Sequence, residues 1–140
     1  MVEVRDVPGS EPSNGRGRQV IGWLLPPDER RRLLQRFEPR YDRVVADHVT
    51  LRSGVVDDAP APRETAGEIV GVADDGEGVQ ALVVKIGEGT ARPGGGTYHI
   101  TWSLGPMRTA KESNDVIAAR GWTRLESPEP VRLEPGRFFG

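Results

Sequence analysis

Residues 68–86, EIVGVADDGEGVQALVVKI, decide the fold class. Two apolar runs, Glu68 to Ala73 and Val79 to Ile86, flank the turn-rich Asp74-Asp75-Gly76-Glu77-Gly78. Aspartate and glycine supply the local hydrogen bonds and positive-φ positions that a tight turn needs, so the segment reads as an antiparallel hairpin. Past the glycine-rich stretch Gly87 to Gly96, Thr97 to Leu104 alternates almost completely. Thr97, His99, Thr101 and Ser103 fall on one face, and Tyr98, Ile100, Trp102 and Leu104 on the other. The second face is expected in the core and the first is expected to be polar.

Upstream of the hairpin, Arg43 to Leu51 reads as a strand, joined to it through an Asp/Ala/Pro-rich surface loop at Val56 to Arg63. Gln19 to Leu25 is a short buried strand that stops at Pro26-Pro27. Asp28 is placed to cap a helix running to about Phe37, with Leu33, Leu34 and Phe37 as its buried stripe. Downstream, Thr109 and Glu112 have capping-box spacing at the start of a second helix, which Gly121 ends. From Thr123 to the C-terminus the pattern predicts one edge strand near Val131 to Leu133, bounded by Pro130 and Pro135. The order β-α-β-β-β-β-α-β describes an α+β domain with a largely antiparallel sheet, since two helices are too few for a doubly wound parallel sheet.

A chain of 140 residues is long enough for one core and too short for two. Residues 1–18, rich in Gly, Pro, Ser and charge, are expected to be a flexible tail, leaving 19–140 as a single domain. No apolar stretch reaches the length needed to span a bilayer and the start has no signal-peptide core, so a soluble cytoplasmic protein is expected, with no membrane contact. Having no cysteine, the chain has no thiol nucleophile, disulfide or cysteine-based zinc site. Its net charge of -2 gives no overall attraction to a polyanion, so any nucleic-acid contact must come from a local patch. Of the 19 basic residues only Lys85 and Lys111 are lysines. Arginine suits bidentate phosphate contacts, although coding bias explains the excess equally simply, and Arg30 to Arg32 fit a solvated helix face.

The chain has two histidines, and each is followed two positions later by threonine within an apolar frame: His48-Val49-Thr50-Leu51 and His99-Ile100-Thr101-Trp102. Threonine makes up about 5% of the chain, so chance would place it after both only a few times in a thousand. In a strand, residues i and i+2 point the same way, roughly 6 to 7 Å apart. Each motif therefore presents an imidazole beside a hydroxyl, while Val49, Leu51, Ile100 and Trp102 anchor into the core. Two such strands facing one groove could surround a phosphate. One imidazole would take a proton from a nucleophile, and the other would give one to a leaving oxygen across phosphorus. The Thr50 and Thr101 hydroxyls would donate to the non-bridging oxygens.

The paired motifs HVTL and HITW resemble those of the two-histidine (2H) phosphoesterases, which include RNA 2',3'-cyclic phosphodiesterases. That resemblance implies a bilobal α+β fold with one motif from each lobe and two helices lining a central groove. It implies that His48 and His99 are the catalytic acid and base, that Thr50 and Thr101 bind the substrate phosphate, and that neither metal nor other cofactor is needed. Substrates would be RNA ends bearing a 2',3'-cyclic phosphate or small cyclic nucleotides, with no obligate protein partner evident. The motifs are only about 50 residues apart, so the chain looks like a minimal version.

Other signals are weaker. The Gly87 to Gly96 stretch lacks a P-loop ending and reads as a mobile connection, from which Arg92 could swing toward substrate. Trp23, Tyr41, Tyr98, Trp102 and Trp122 could stack on a base, but core packing is the simpler reading for each. Asp47 adjoins His48, and strand alternation would send the two to opposite faces. Lys85 and Lys111 are expected to be solvated. The competing function is a non-catalytic nucleotide or RNA-end binding module using the same groove. A partner-binding role for the C-terminal segment ranks last.

Overall fold

Hydrogen bonds made by two aspartates shape the turn of the 68–86 hairpin. Asp75 Oδ1 accepts the backbone N–H groups of Glu77 at 2.8 Å and Val79 at 3.0 Å, Asp74 Oδ1 accepts that of Gly76, and Gly76 and Gly78 adopt positive φ. A computed structural model describes residues 19–55 and 59–139, so the expected tail at 1–18 and part of the 56–63 loop lie outside the described residues. The elements are β1 (Gln19–Leu24), α1 (Pro27–Arg36), β2 (Arg43–Val44), β3 (His48–Ser53), β4 (Ala66–Asp74), β5 (Val79–Lys85), β6 (His99–Leu104), α2 (Glu112–Arg120), β7 (Thr123–Arg132) and β8 (Glu134–Phe139). The strands form one eight-stranded sheet in the order β7-β4-β5-β6-β3-β1-β8, with β2 also on β6, and the pairings are antiparallel. The chain is therefore α+β with two helices. None of its described helices is long and apolar enough to cross a membrane.

The two faces of the sheet carry different cores. Trp23, Val49, Ile69, Leu82, Val84, Ile100 and Trp102 pack with Leu33 and Phe37 of the α1 region. The indole N–H of Trp102 donates to the Phe37 carbonyl at 2.8 Å, so this large ring is buried with its polar atom satisfied. On the other face Val70, Ala73, Ala81 and Val83 pack against Ile117 of α2. The side of β6 expected to be polar is thus covered as well: Ser103 is fully buried and bonds Gln80, while Thr101 bonds Ser113 of α2.

Several expectations are corrected. The single strand over 43–51 is broken, because Val44 pairs with Ser103 and Val49 with Ile100, five residue steps against three. The surplus is taken up as a bulge at Ala46, fully buried at φ 47°, where Val45 and Ala46 both donate to β6 carbonyls. α1 begins two residues early, with Pro26 at the cap and Pro27 supplying its first turn. Asp28 caps nothing and pairs with Arg132. Half of the expected capping box forms, the Glu112 carboxylate accepting the Thr109 N–H at 2.7 Å, and the helix proper starts at Glu112. The C-terminal segment holds two strands, β7 and β8, at opposite edges of the sheet. Pro128, Pro130 and Pro135 are accommodated because an edge strand has one unpaired side. Only Leu133 separates β7 from β8, so the sheet must curl until its edges lie within a few ångströms of each other at that point.

Candidate active site

The site grows out of one strand pair. Val49 of β3 and Ile100 of β6 are cross-strand partners, both fully buried in the α1-side core. Their sequence neighbours therefore project from the opposite face: His48 and Thr50 on one strand, His99 and Thr101 on the other. Antiparallel pairing extended one residue each way sets His48 across from Thr101 and Thr50 across from His99. Directly opposed side chains start roughly 5 Å apart, so the four make a near-twofold square with histidines on one diagonal and threonines on the other. All four line a single cleft of about 340 Å³. Its walls come from the start of α2 (Ala110, Lys111, Asn114), the loop carrying Arg92, and Val20 with Ser53 on the β1 side. α1 contributes nothing to this lining, correcting the expectation that both helices flank the groove, because it packs against the face to which Val49 and Ile100 point.

The two histidines are held differently. His99 Nδ1 lies 2.7 Å from the Thr97 carbonyl, to which it donates, leaving Nε2 as the basic nitrogen. Burial holds this imidazole below its usual range, with the nearby Arg92 and His48 charges acting in the same direction and the Thr97 carbonyl opposing. His48 Nδ1 is buried with no hydrogen-bond partner. The Asp47 carboxylate approaches it to 3.5 Å, and the Phe138 ring of β8 meets the imidazole edge-on at 5.0 Å. This approach corrects the expectation that alternation separates Asp47 from His48. Asp47 precedes β3 and follows the Ala46 bulge, so the alternation does not extend to it.

The threonines differ too. Thr101 Oγ1 is 2.8 Å from Ser113 Oγ and 3.4 Å from the Ala110 carbonyl, whereas the Thr50 hydroxyl has no partner among the described residues. When Ser113 donates to Thr101, the Thr101 proton is left for a ligand.

Four further residues belong to the site: Ser113 and Asn114, which the sequence does not mark, and Asp47 and Arg92, which it marks only as weak signals. Ser113 and Asn114 arrive on the first turn of α2, Asp47 through the bulge, and Arg92 from a loop that has a defined turn. Ala91 pairs with Thr97, Arg92 N–H donates to the Gly96 carbonyl at 3.0 Å, and Gly94, Gly95 and Gly96 all take positive φ. For Arg92 the sequence signal is the glycine-rich stretch itself, Arg92-Pro93 followed by three glycines ahead of the second motif. Trp23, Tyr98 and Trp102 are core residues, and among the described residues no Phe, Tyr or Trp lines the cleft. Lys111 is exposed at the cleft wall, whereas Lys85 is exposed at the end of β5 outside the lining. Among the described residues no group of three His, Asp or Glu is placed to hold a metal ion. Searches of protein-family models, curated proteins and solved structures find no match to this chain.

Proposed function

We propose that the protein is a metal-independent phosphodiesterase that hydrolyses 2',3'-cyclic phosphates, at RNA ends or on small nucleotides, by two-histidine acid-base catalysis. The observation that carries this reading is the convergence of both motifs, His48 with Thr50 and His99 with Thr101, in one cleft. The reading is also supported by the place of the motifs in the single eight-stranded sheet. The β8-β1-β3 half supplies one motif and the β6-β5-β4-β7 half supplies the other, meeting at Val49 and Ile100.

With phosphorus at the centre of the square, the diagonal histidines stand on opposite sides, as in-line displacement requires. His99 is suited to be the base, because burial favours its neutral form and the Thr97 carbonyl fixes the tautomer that leaves Nε2 free. Water gives a proton to His99 Nε2 as its oxygen bonds to phosphorus. The ester bond to one ribose oxygen breaks, and that oxygen takes a proton from His48, leaving a phosphomonoester. Thr50 and Thr101 donate to the non-bridging oxygens, where charge builds in the transition state.

The test is incubation with nucleoside 2',3'-cyclic monophosphates and with a short RNA ending in a cyclic phosphate, in excess EDTA, resolving products by chromatography. Ring opening by the parent protein, lost in both His48→Ala and His99→Ala, is the expected result. Tight binding without turnover would replace the enzyme with a binding module, and full activity in either variant would overturn the two-histidine mechanism.

A further inference from the structure

The cleft carries more positive charge than one scissile phosphate between two hydroxyls requires. Arg92 and Lys111 both line it, no carboxylate does, and neither cation pairs with a carboxylate among the described residues. Among the other described arginines, Arg32, Arg36, Arg40, Arg108 and Arg132 meet acidic partners, whereas Arg30 and Arg43, like Arg92, are held by backbone carbonyls.

Arg92 is also held in place. Its Nε donates to the Gly95 carbonyl at 3.1 Å and its Nη1 reaches the Thr50 carbonyl at 3.5 Å. Gly96 sits at φ +90°, and a Cβ there would lie 2.8 Å from Arg92 Nη2, so the loop has glycine where the guanidinium needs the room. Two carbonyl bonds use two of the five guanidinium donors, leaving three for a ligand. The position is eccentric. Arg92 bonds the backbone of Thr50, and its neighbour Ala91 pairs with Thr97, two residues before His99, so it stands past the Thr50–His99 edge of the square. Asn114 is at the same end. Its Oδ1 accepts the Thr97 N–H at 3.4 Å, which leaves its amide N–H groups as donors.

We propose that the Arg92 end of the cleft is a second anion subsite, and that the substrates carry a further phosphate beside the scissile one, read by Arg92 with Asn114 and Lys111. This rests on the phosphodiesterase reading for the identity of the scissile group. Among the described residues the lining has no Phe, Tyr or Trp ring to stack on a base, so discrimination is assigned to charge and the guanidinium fork. The second phosphate has two chemical sources: a 5'-phosphate on the same nucleotide, or the next diester of an RNA strand.

The experiment compares kcat/KM for three substrates, a nucleoside 2',3'-cyclic phosphate with a free 5'-hydroxyl, its 5'-phosphorylated twin, and a dinucleotide ending in the cyclic phosphate, in the parent protein, R92Q and R92K. At least one doubly anionic substrate is expected to exceed the 5'-hydroxyl form by about tenfold or more, the usual worth of a charge-assisted contact. The ratio should fall to near one in R92Q and be partly retained in R92K. Whichever substrate gains identifies the source of the phosphate. A ratio near one in the parent, or one unchanged in R92Q, overturns the proposal. Calorimetric binding of a nucleoside 2',5'-bisphosphate and a 2'-monophosphate separates the two readings. If no cyclic phosphate is opened but the bisphosphate binds more tightly and loses that advantage in R92Q, the subsite stands and the phosphodiesterase reading falls. Ring opening with equal binding of the two nucleotides sinks the subsite alone.

Discussion

Replacing each motif threonine by valine should separate two properties that the motif repeat makes look identical. Thr101 shares a 2.8 Å contact with Ser113, which is fully buried, whereas Thr50 has no hydroxyl partner among the described residues. Thr101→Val leaves Ser113 Oγ buried and unpaired, a cost of about 1–3 kcal/mol. Ser113→Ala is milder, about 0.5–1.5 kcal/mol, because Thr101 retains the Ala110 carbonyl at 3.4 Å and borders the cleft. Removing both hydroxyls leaves nothing unsatisfied, so the double variant should cost less than the two singles together, with a coupling of about 0.5–3 kcal/mol. Thr50→Val should stay within about 0.5 kcal/mol of the parent. Urea denaturation of the four variants measures these differences. Under the proposed phosphodiesterase reading the asymmetry should vanish on cyclic-phosphate substrates: each valine would remove one donor to the phosphate and lower kcat by about 10²–10³, in line with other transition-state donors. Additive costs for Thr101→Val and Ser113→Ala, or a Thr50→Val variant as destabilised as Thr101→Val, would refute the assignment.

Two other outcomes follow from buried groups. Because His99 is less basic folded than its ordinary 6.5, the unfolded chain binds a proton that the native one does not as pH falls below about 6.5. His99 thus contributes a loss of stability toward acid, at most about 1.4 kcal/mol per pH unit, ending below its folded pKa. Chemical denaturation of parent and His99→Asn between pH 7.5 and 5.5 should show the shallower slope in the variant, and equal slopes would sink the point. At Gly22, where β1 passes β3, an alanine Cβ would lie 2.2 Å from the Val49 carbonyl oxygen, so Gly22→Ala should lower the thermal midpoint by several degrees, about 1–3 kcal/mol of overpacking. A Gly22→Ala protein as stable as its parent would contradict that approach.

Patterns carried on one element were legible in the sequence. The hairpin at 74–78 announced itself through its Asp and Gly residues, the stripe of Leu33 and Phe37 marked α1, and the Gly121 stop ended α2 at φ 74°. The four motif residues were legible because a two-residue spacing shares a face whatever the partner strand. Features set by neighbours were not. The Ala46 bulge has no local signature, since alanine rarely takes positive φ and nothing in the flanking residues requires it. β7 and β8 were hidden by prolines that break an interior strand but not an edge. Thr101 and Ser103 read as a solvent face because their partners, Ser113 and Gln80, lie on other elements. Arg92 and Asp47 depend on backbone geometry fixed by tertiary contacts.

The edge pairing of β1 with β8 also bears on when the site can exist during synthesis. Gln19 pairs with Phe139 and Val20 with Phe138, so the earliest described strand waits for the last one, and Phe138 is the ring that packs on His48. A nascent chain that has released β7 already holds both histidines and both threonines, yet β1 is an unpaired edge and one side of His48 lacks its packing. Such long-range closure is slow to form, and an open edge invites pairing with other chains. Completion of the cleft is therefore tied to β8 leaving the ribosome, and a chain stopped short of β8 exposes an edge that invites aggregation.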